Sequence, residues 1–132
     1  MHAKRTGLYQ WHADHGARFT DFGGWEMPVQ YPTGTIQEHN ATRNNVGLFD
    51  ISHMGQLRVS GPDAARWLSS LLTADISGLS LGLSTYALLT KEDGGVIDDT
   101  FVYRTGDEEY LVVVNAARHD ADLAWFQEHL PA

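Results

Sequence analysis

The chain has no cysteine, which excludes disulfides, thiolate metal sites and a cysteine nucleophile. Cations are few: nine Lys and Arg, scattered, stand against seventeen Asp and Glu, for a formal net charge of −8 at pH 7. Binding to a phosphate backbone needs clustered Lys and Arg that displace counterions, so nucleic acid is set aside. No apolar run reaches the roughly 18 residues needed to span a bilayer. No secretory hydrophobic stretch follows Met1; Lys4 and Arg5 lead into the polar and aromatic residues 8–11. A cytoplasmic setting is expected, with no membrane partner. The paired glycines Gly23-Gly24 and Gly94-Gly95 lack the spacing of a phosphate-cradling loop and read as turns.

What remains is an ordinary globular composition. At 132 residues, 42% apolar and 11% aromatic, the chain is long enough for one compact domain plus an N-terminal extension. Residues 1–52 are rich in Gly, aromatics, His and Pro and have little regular period. Residues 53–132 alternate between strand-like and helix-like blocks. In the first region, 6–15 reads as a short helix ending near Gly16, and 18–22 as a strand stopped by Gly23-Gly24. The stretch 25–31, interrupted by Pro28, suits an edge strand or an extended loop. Thr35 and Glu38 have the spacing of a capping box, opening a helix to about Val46. Its Asn-rich interior is a poor helix former, so tertiary contacts are expected to hold it.

In the second region, 56–60 alternates polar and apolar like a half-buried strand. Gly61-Pro62 opens a helix whose Ala64, Trp67, Leu68, Leu71 and Leu72 share one face. Strands are expected over 85–90 and 96–103, joined at the Asp93-Gly94 turn, and over 110–115. A closing helix over 118–130 places Leu123, Phe126 and Leu130 along one side. The order β-α-β-β-β-α implies an α+β fold: an antiparallel sheet with helices on one face, preceded by an irregular segment of an incomplete domain.

The unusual feature is Asp98-Asp99, two acids at the head of an apolar strand. Successive strand residues point to opposite faces, so one acid can be solvated while the other faces whatever covers the sheet. Parity leaves the choice open: Val96, Thr100 and Val102 share the face of Asp98, and Ile97, Phe101 and Tyr103 that of Asp99. A ligand-facing acid here could accept hydrogen bonds from an amine or position a proton near a nitrogen. Other readings are weaker. His12 and His15 are spaced i, i+3 rather than the usual i, i+4 of paired helical metal ligands. Ser52-His53 lacks a nucleophile elbow. Trp25, Tyr31, Tyr86 and Met54 fit either core positions or the walls of a cleft for an aromatic ring. Asn115 is an amide where Val would be expected, so it caps backbone or reads a polar edge.

These positions fall in one familiar order. Leu8-Tyr9-x-x-His12, the blocks 21–31, 47–55 and 94–99, and Val114-Asn115-Ala116 together resemble the aminomethyltransferase family, the T-protein of the glycine cleavage system, over about residues 7–130. The resemblance implies a tetrahydrofolate-dependent reaction. An aminomethyl group on the lipoyl arm of H-protein gives up ammonia, and its one-carbon unit passes to tetrahydrofolate, the co-substrate. By that analogy Asp98 is the catalytic acid beside the folate nitrogens, and Met54, Tyr86, Tyr110 and Asn115 line the folate site; no metal is implied. The chain matches only about the first third of the family's length. Weak or absent turnover by this chain alone is therefore expected, together with exposed apolar surface and strand edges that favour self-association. Two rival readings are a non-catalytic folate-binding or assembly module and a related folate-dependent demethylase or oxidase domain.

Overall fold

The computed structural model describes residues 3–131. The chain divides into two compact units, one up to His53 and one from Met54 on. The first unit contains α1 (Tyr9–Asp14), β1 (Arg18–Phe22), β2 (Trp25–Gln30) and α2 (Thr35–Asn44). Strands β1 and β2 form a two-stranded antiparallel sheet. Gly16 ends α1 at φ 72°, and a Cβ there would approach the Pro32 ring to 3.0 Å. Glycine thus serves both the left-handed turn and the close approach.

Two expectations for this unit change. Glu38 does not close a capping box: Gly34 is the N-cap with no side-chain cap bond, and the Glu38 carboxylate accepts from the Tyr31 backbone N–H at 2.7 Å. Helix α2 also has no buried residue. Instead of packing, local bonds brace it, with Thr42 donating to the Glu38 carbonyl and Asn44 to that of Asn40. From Val46 to Ile51 the unit leaves large apolar side chains in water, with Leu48 fully exposed.

The second unit contains β3 (Gly55–Ser60), α3 (Ala64–Leu71), β4 (Ser84–Thr90), β5 (Val96–Arg104), β6 (Glu109–Val114) and α4 (His119–Glu128). All strand pairs are antiparallel, in the order β3-β6-β5-β4. The β4–β5 hairpin turns at Gly94, φ 83°, closed by Lys91 N–H to Gly95 O at 2.8 Å. Leu68 and Leu72 from the α3 region and Phe126 from α4 pack on Ala87, Leu89, Val102, Val112 and Val114 of the sheet. Each buried Leu, Val or Phe among them stabilises the fold by roughly 1.5–3 kcal/mol. The Trp67 indole N–H donates to the His129 carbonyl at 2.6 Å and ties the two helices together. The α+β, helices-on-one-face architecture read from the sequence is therefore present.

The inward face of α4 differs from the expected one. Asp122 and Phe126 are buried, whereas Leu130 is 59% exposed. At the start of β3, a Cβ on Gly55 would lie 2.6 Å from both Val114 Cγ2 and His119 Cδ2. Gly55→Ala is expected to destabilise this unit by about 1–3 kcal/mol through overpacking. A urea denaturation midpoint unchanged by the substitution would contradict that close approach.

Candidate functional site

Strand alternation and the covering helices together decide where the acid pair points. Along β5, Asp98, Thr100 and Val102 are buried, while Asp99, Phe101 and Tyr103 are exposed. Asp98, 7% exposed, thus lies beneath the sheet on the helix side. Its Oδ2 accepts from the Asn115 backbone N–H at 3.0 Å and its Oδ1 from Asn115 Nδ2 at 2.9 Å. Asp99 stands on the open face. Continuing the Phe101–Val113 register by two residues on each strand places Asp99 opposite Asn115, and Asn115 Nδ2 donates to Asp99 Oδ1 at 2.8 Å. The two hydrogens of one amide nitrogen thus bridge both acids, leaving Asn115 Oδ1 without a hydrogen-bond partner among the described residues.

Tyr86, across the β4–β5 ladder, completes the group. Its hydroxyl donates to Asp99 Oδ2 at 3.3 Å. Partial desolvation on the sheet, together with the neighbouring Asp99 and Asp98 charges, pushes the Tyr86 phenol above its ordinary value, so it remains a donor at neutral pH. Its ring meets Phe101 at 5.4 Å in an edge-on arrangement, and Tyr103 lies 6.4 Å beyond Phe101. One end of an aromatic sheet face therefore carries an acid, an amide and a phenol.

The sequence-predicted residues separate accordingly. Tyr86 and Asn115 meet at Asp99 on the open face. Met54, half-buried, lies one residue beyond the Gly55–Val114 pair. Tyr110 is 3% exposed and belongs to the core beneath the sheet, because the even-numbered residues of β6 point inward. Asp98 is on that same covered side. Phe101 and Tyr103 were not singled out from sequence, although their parity with Asp99 was visible.

No sequence motif marks Asp122. It is completely buried on α4, and neither carboxyl oxygen finds a donor among the described residues. Burial, a hydrogen bond shared with Asp98 and the Asp98 charge push its pKa up to about 7, against the opposing pull of Arg118.

A second polar group belongs to the first unit. His12, 4% exposed, has Nδ1 at 2.6 Å from the Tyr31 hydroxyl and Nε2 at 2.9 Å from Asp50 Oδ2. Thr6 and Ser52 hydroxyls donate to Asp50 at 2.7 and 2.6 Å. Both His12 nitrogens are thus occupied by protein groups, and Ser52 turns to an acid rather than to a histidine. Burial pushes the Asp50 carboxyl up, but the hydrogen bonds from Ser52, His12 and Thr6 outweigh it and hold it below the ordinary carboxylate range. This arrangement pins the irregular chain near Asp50 to α1 and has the form of a structural knot. Elsewhere, a groove of about 530 Å³ lined by Leu57, Val59, Trp67 and Phe126 runs along β3 and the helices. None of Asp98, Asp99, Asn115 or Tyr86 lines it.

Fold and face define a class: a two-layer α+β domain that presents acid, amide and phenol chemistry on an open antiparallel sheet. The family described as "GCVT N-terminal domain" matches residues 8–132, and the chain belongs to it. Among curated relatives, an aminomethyltransferase of Rubrobacter xylanophilus is 53% identical over 126 residues, 96% of this chain and 33% of that protein. One of Staphylococcus haemolyticus is 48% identical over 128 residues, 97% of this chain and 35% of that protein. The crystal structure of glycine cleavage system aminomethyltransferase T from Bartonella henselae superposes with a TM-score of 0.91 at 40% identity, covering 96% of this chain and 35% of that one. The chain thus spans about a third of the length of the relatives it matches and corresponds to their N-terminal portion, in agreement with the family and fold class read from the sequence.

Proposed function

We propose that this chain is the folate-facing N-terminal part of an aminomethyltransferase that passes a one-carbon unit from the aminomethyl-lipoyl arm of H-protein to tetrahydrofolate, with release of ammonia. The observation that carries this reading is Asp99 on the open sheet face, flanked by Asn115 and Tyr86 beside Phe101 and Tyr103. A reduced pterin is flat and carries N–H donors and ring nitrogens. Such a ligand suits an aromatic floor with convergent polar groups at one end. Asp99 accepts from a ring N–H, and Asn115 Oδ1, which takes no donor among the described residues, accepts from another.

In this reaction the S–CH2 and CH2–NH2 bonds of the carrier arm break and two C–N bonds to folate form. The two folate N–H protons end on the released thiol and on ammonia. An anionic acceptor beside those nitrogens helps the protons leave as the C–N bonds form. This reading assigns that place to Asp99 rather than to Asp98, whose oxygens are engaged by Asn115 beneath the sheet. Asp98 then acts by holding Asn115, and Tyr110 supports the face from the core. Met54 borders the Asn115 end. The remaining contacts to folate and to H-protein are assigned to the length of the relatives that this chain does not span, so this chain alone is expected to turn over weakly or not at all. A cytoplasmic location accords with these substrates.

The test is ammonia release by the protein carried to its relatives' full length. Release is expected only when both tetrahydrofolate and aminomethyl-loaded, lipoylated H-protein are supplied. Release at an equal rate without folate would contradict the assignment. Folate binding with no dependence on H-protein at any length would favour the non-catalytic module instead.

A further inference from the structure

We propose that Asp122 is a positioning residue that retains a proton in the interior and shares it with Asp98, so that the buried pair carries a single negative charge and uses it to fix the Asn115 amide against Asp99. The proposal rests on the folate-facing role given above to Asp99 and Asn115. Two acids, one fully buried and the other 7% exposed, stand within hydrogen-bonding reach of each other, Asp122 on α4 and Asp98 on β5. The Asp98 oxygens take the Asn115 backbone and side-chain N–H groups at 3.0 and 2.9 Å, and those of Asp122 take no donor among the described residues.

Two ionised carboxylates cannot share such a site cheaply, because burial and mutual repulsion both oppose the second charge. A proton on Asp122 resolves both difficulties. It removes one charge and gives Asp122 a donor that Asp98 can accept. The charged groups bearing on Asp122 are Asp98 from β5 and Arg118 just before α4. The buried residues of the neighbouring elements carry no charge: Ala87 and Leu89 of β4, Tyr110, Val112 and Val114 of β6, and Ala64 and Leu68 of α3. The result is a continuous line from the interior to the open face, running Asp122, Asp98, Asn115, Asp99, Tyr86. Ionising Asp122 sets a second charge against Asp98 and loosens the amide that orients Asp99.

The pKa of Asp122, pushed up to about 7 from 3.8, fixes the expected window. A folded-state value above the unfolded one means that the folded chain binds more protons between about pH 4 and 7. The contribution of Asp122 to stability is therefore present at low pH and is lost as pH rises through that window.

The experiment is a carboxyl-carbon and side-chain-amide NMR titration of this chain, with Asp122→Asn and Asp122→Leu alongside. One aspartate carboxyl is expected to titrate near pH 7, and the Asn115 Nδ2–H signals should move with the same midpoint. Both changes should vanish in Asp122→Asn, whose amide still donates to Asp98 but does not ionise. An aspartate set that titrates entirely in the ordinary carboxylate range would overturn the proposal. So would Asn115 signals that ignore the Asp122 midpoint, the outcome of a merely structural acid. Should Asp122→Leu fail to fold, the other two titrations still decide. Tetrahydrofolate titrations form a separate arm: affinity is expected to fall above pH 7 in the parent chain, and Asp122→Asn should flatten that profile. If tetrahydrofolate binds at no pH while the NMR midpoints appear as expected, the acid pair stands and the folate reading fails.

Discussion

Asp99→Asn, introduced into the protein at its relatives' full length, is expected to lower one-carbon transfer by about 10²-fold or more, the usual range for losing a positioned proton acceptor or charge. The fold should be little affected, since Asp99 is exposed at a strand face and Asn fills almost the same volume. The substitution removes the negative charge and sets one amide against another at Asn115 Nδ2, which now donates to Asp99 at 2.8 Å. Asp98→Asn should behave differently. It places a donor opposite one of the two Asn115 N–H groups in a buried setting, so the cost falls on stability, roughly 1–3 kcal/mol, with transfer reduced less than by Asp99→Asn. Rates and urea midpoints for the two variants check this. A larger rate loss in Asp98→Asn than in Asp99→Asn, at unchanged stability, would reverse the roles given to the two acids.

The second large effect concerns the first unit. Asp50→Ala removes the acceptor shared by His12, Thr6 and Ser52 and strands the donors of two buried residues, His12 and Thr6. Leaving such donors unpaired costs about 1–3 kcal/mol each, enough to release a small unit whose helix α2 buries nothing. Hydrogen exchange reads the outcome. Amides of α1 should lose protection while those of the β5–β6 ladder serve as the internal control. Retained α1 protection would show that Asp50 does not hold the unit. The acid dependence has a definite sign. The Asp50 carboxyl is held below its unfolded value, so its stabilisation is present above about pH 4 and is lost as pH falls through the lower folded-state value. That is opposite in direction to the window set by Asp122.

Much of the second unit is legible in the sequence because its periods are strong. Alternation over 56–60 and the Asp93-Gly94 turn locate β3 and the central hairpin within a residue or so, and the spacing from Ala64 to Leu72 identifies the buried stripe of α3. The orientation of the acid pair is not legible. Both faces of β5 carry apolar residues, so local pattern cannot say which face the helices cover, and only packing turns Asp98 inward and Asp99 outward. Asp122 escapes for a related reason: an acid in a polar helix reads as solvated, yet it stands four residues before Phe126, on the same inward stripe. Glu38 carries a capping-box spacing, but a backbone N–H at Tyr31 competes for its carboxylate, a contact no local motif encodes. Tyr110 reads as a ligand residue by family resemblance alone, while its strand parity, visible once the inward face of β6 is known, assigns it to the core.

In the function proposed, folate meets the open face of the four-stranded sheet at its Asp99 end. The most direct measurement is amide and side-chain NMR of the labelled chain during addition of tetrahydrofolate. The largest shifts are expected at Tyr86, Asp99, Phe101 and Asn115, and they should be lost in Asp99→Asn. Shifts confined to the groove along Leu57, Trp67 and Phe126, with the Asp99 end unmoved, would contradict it.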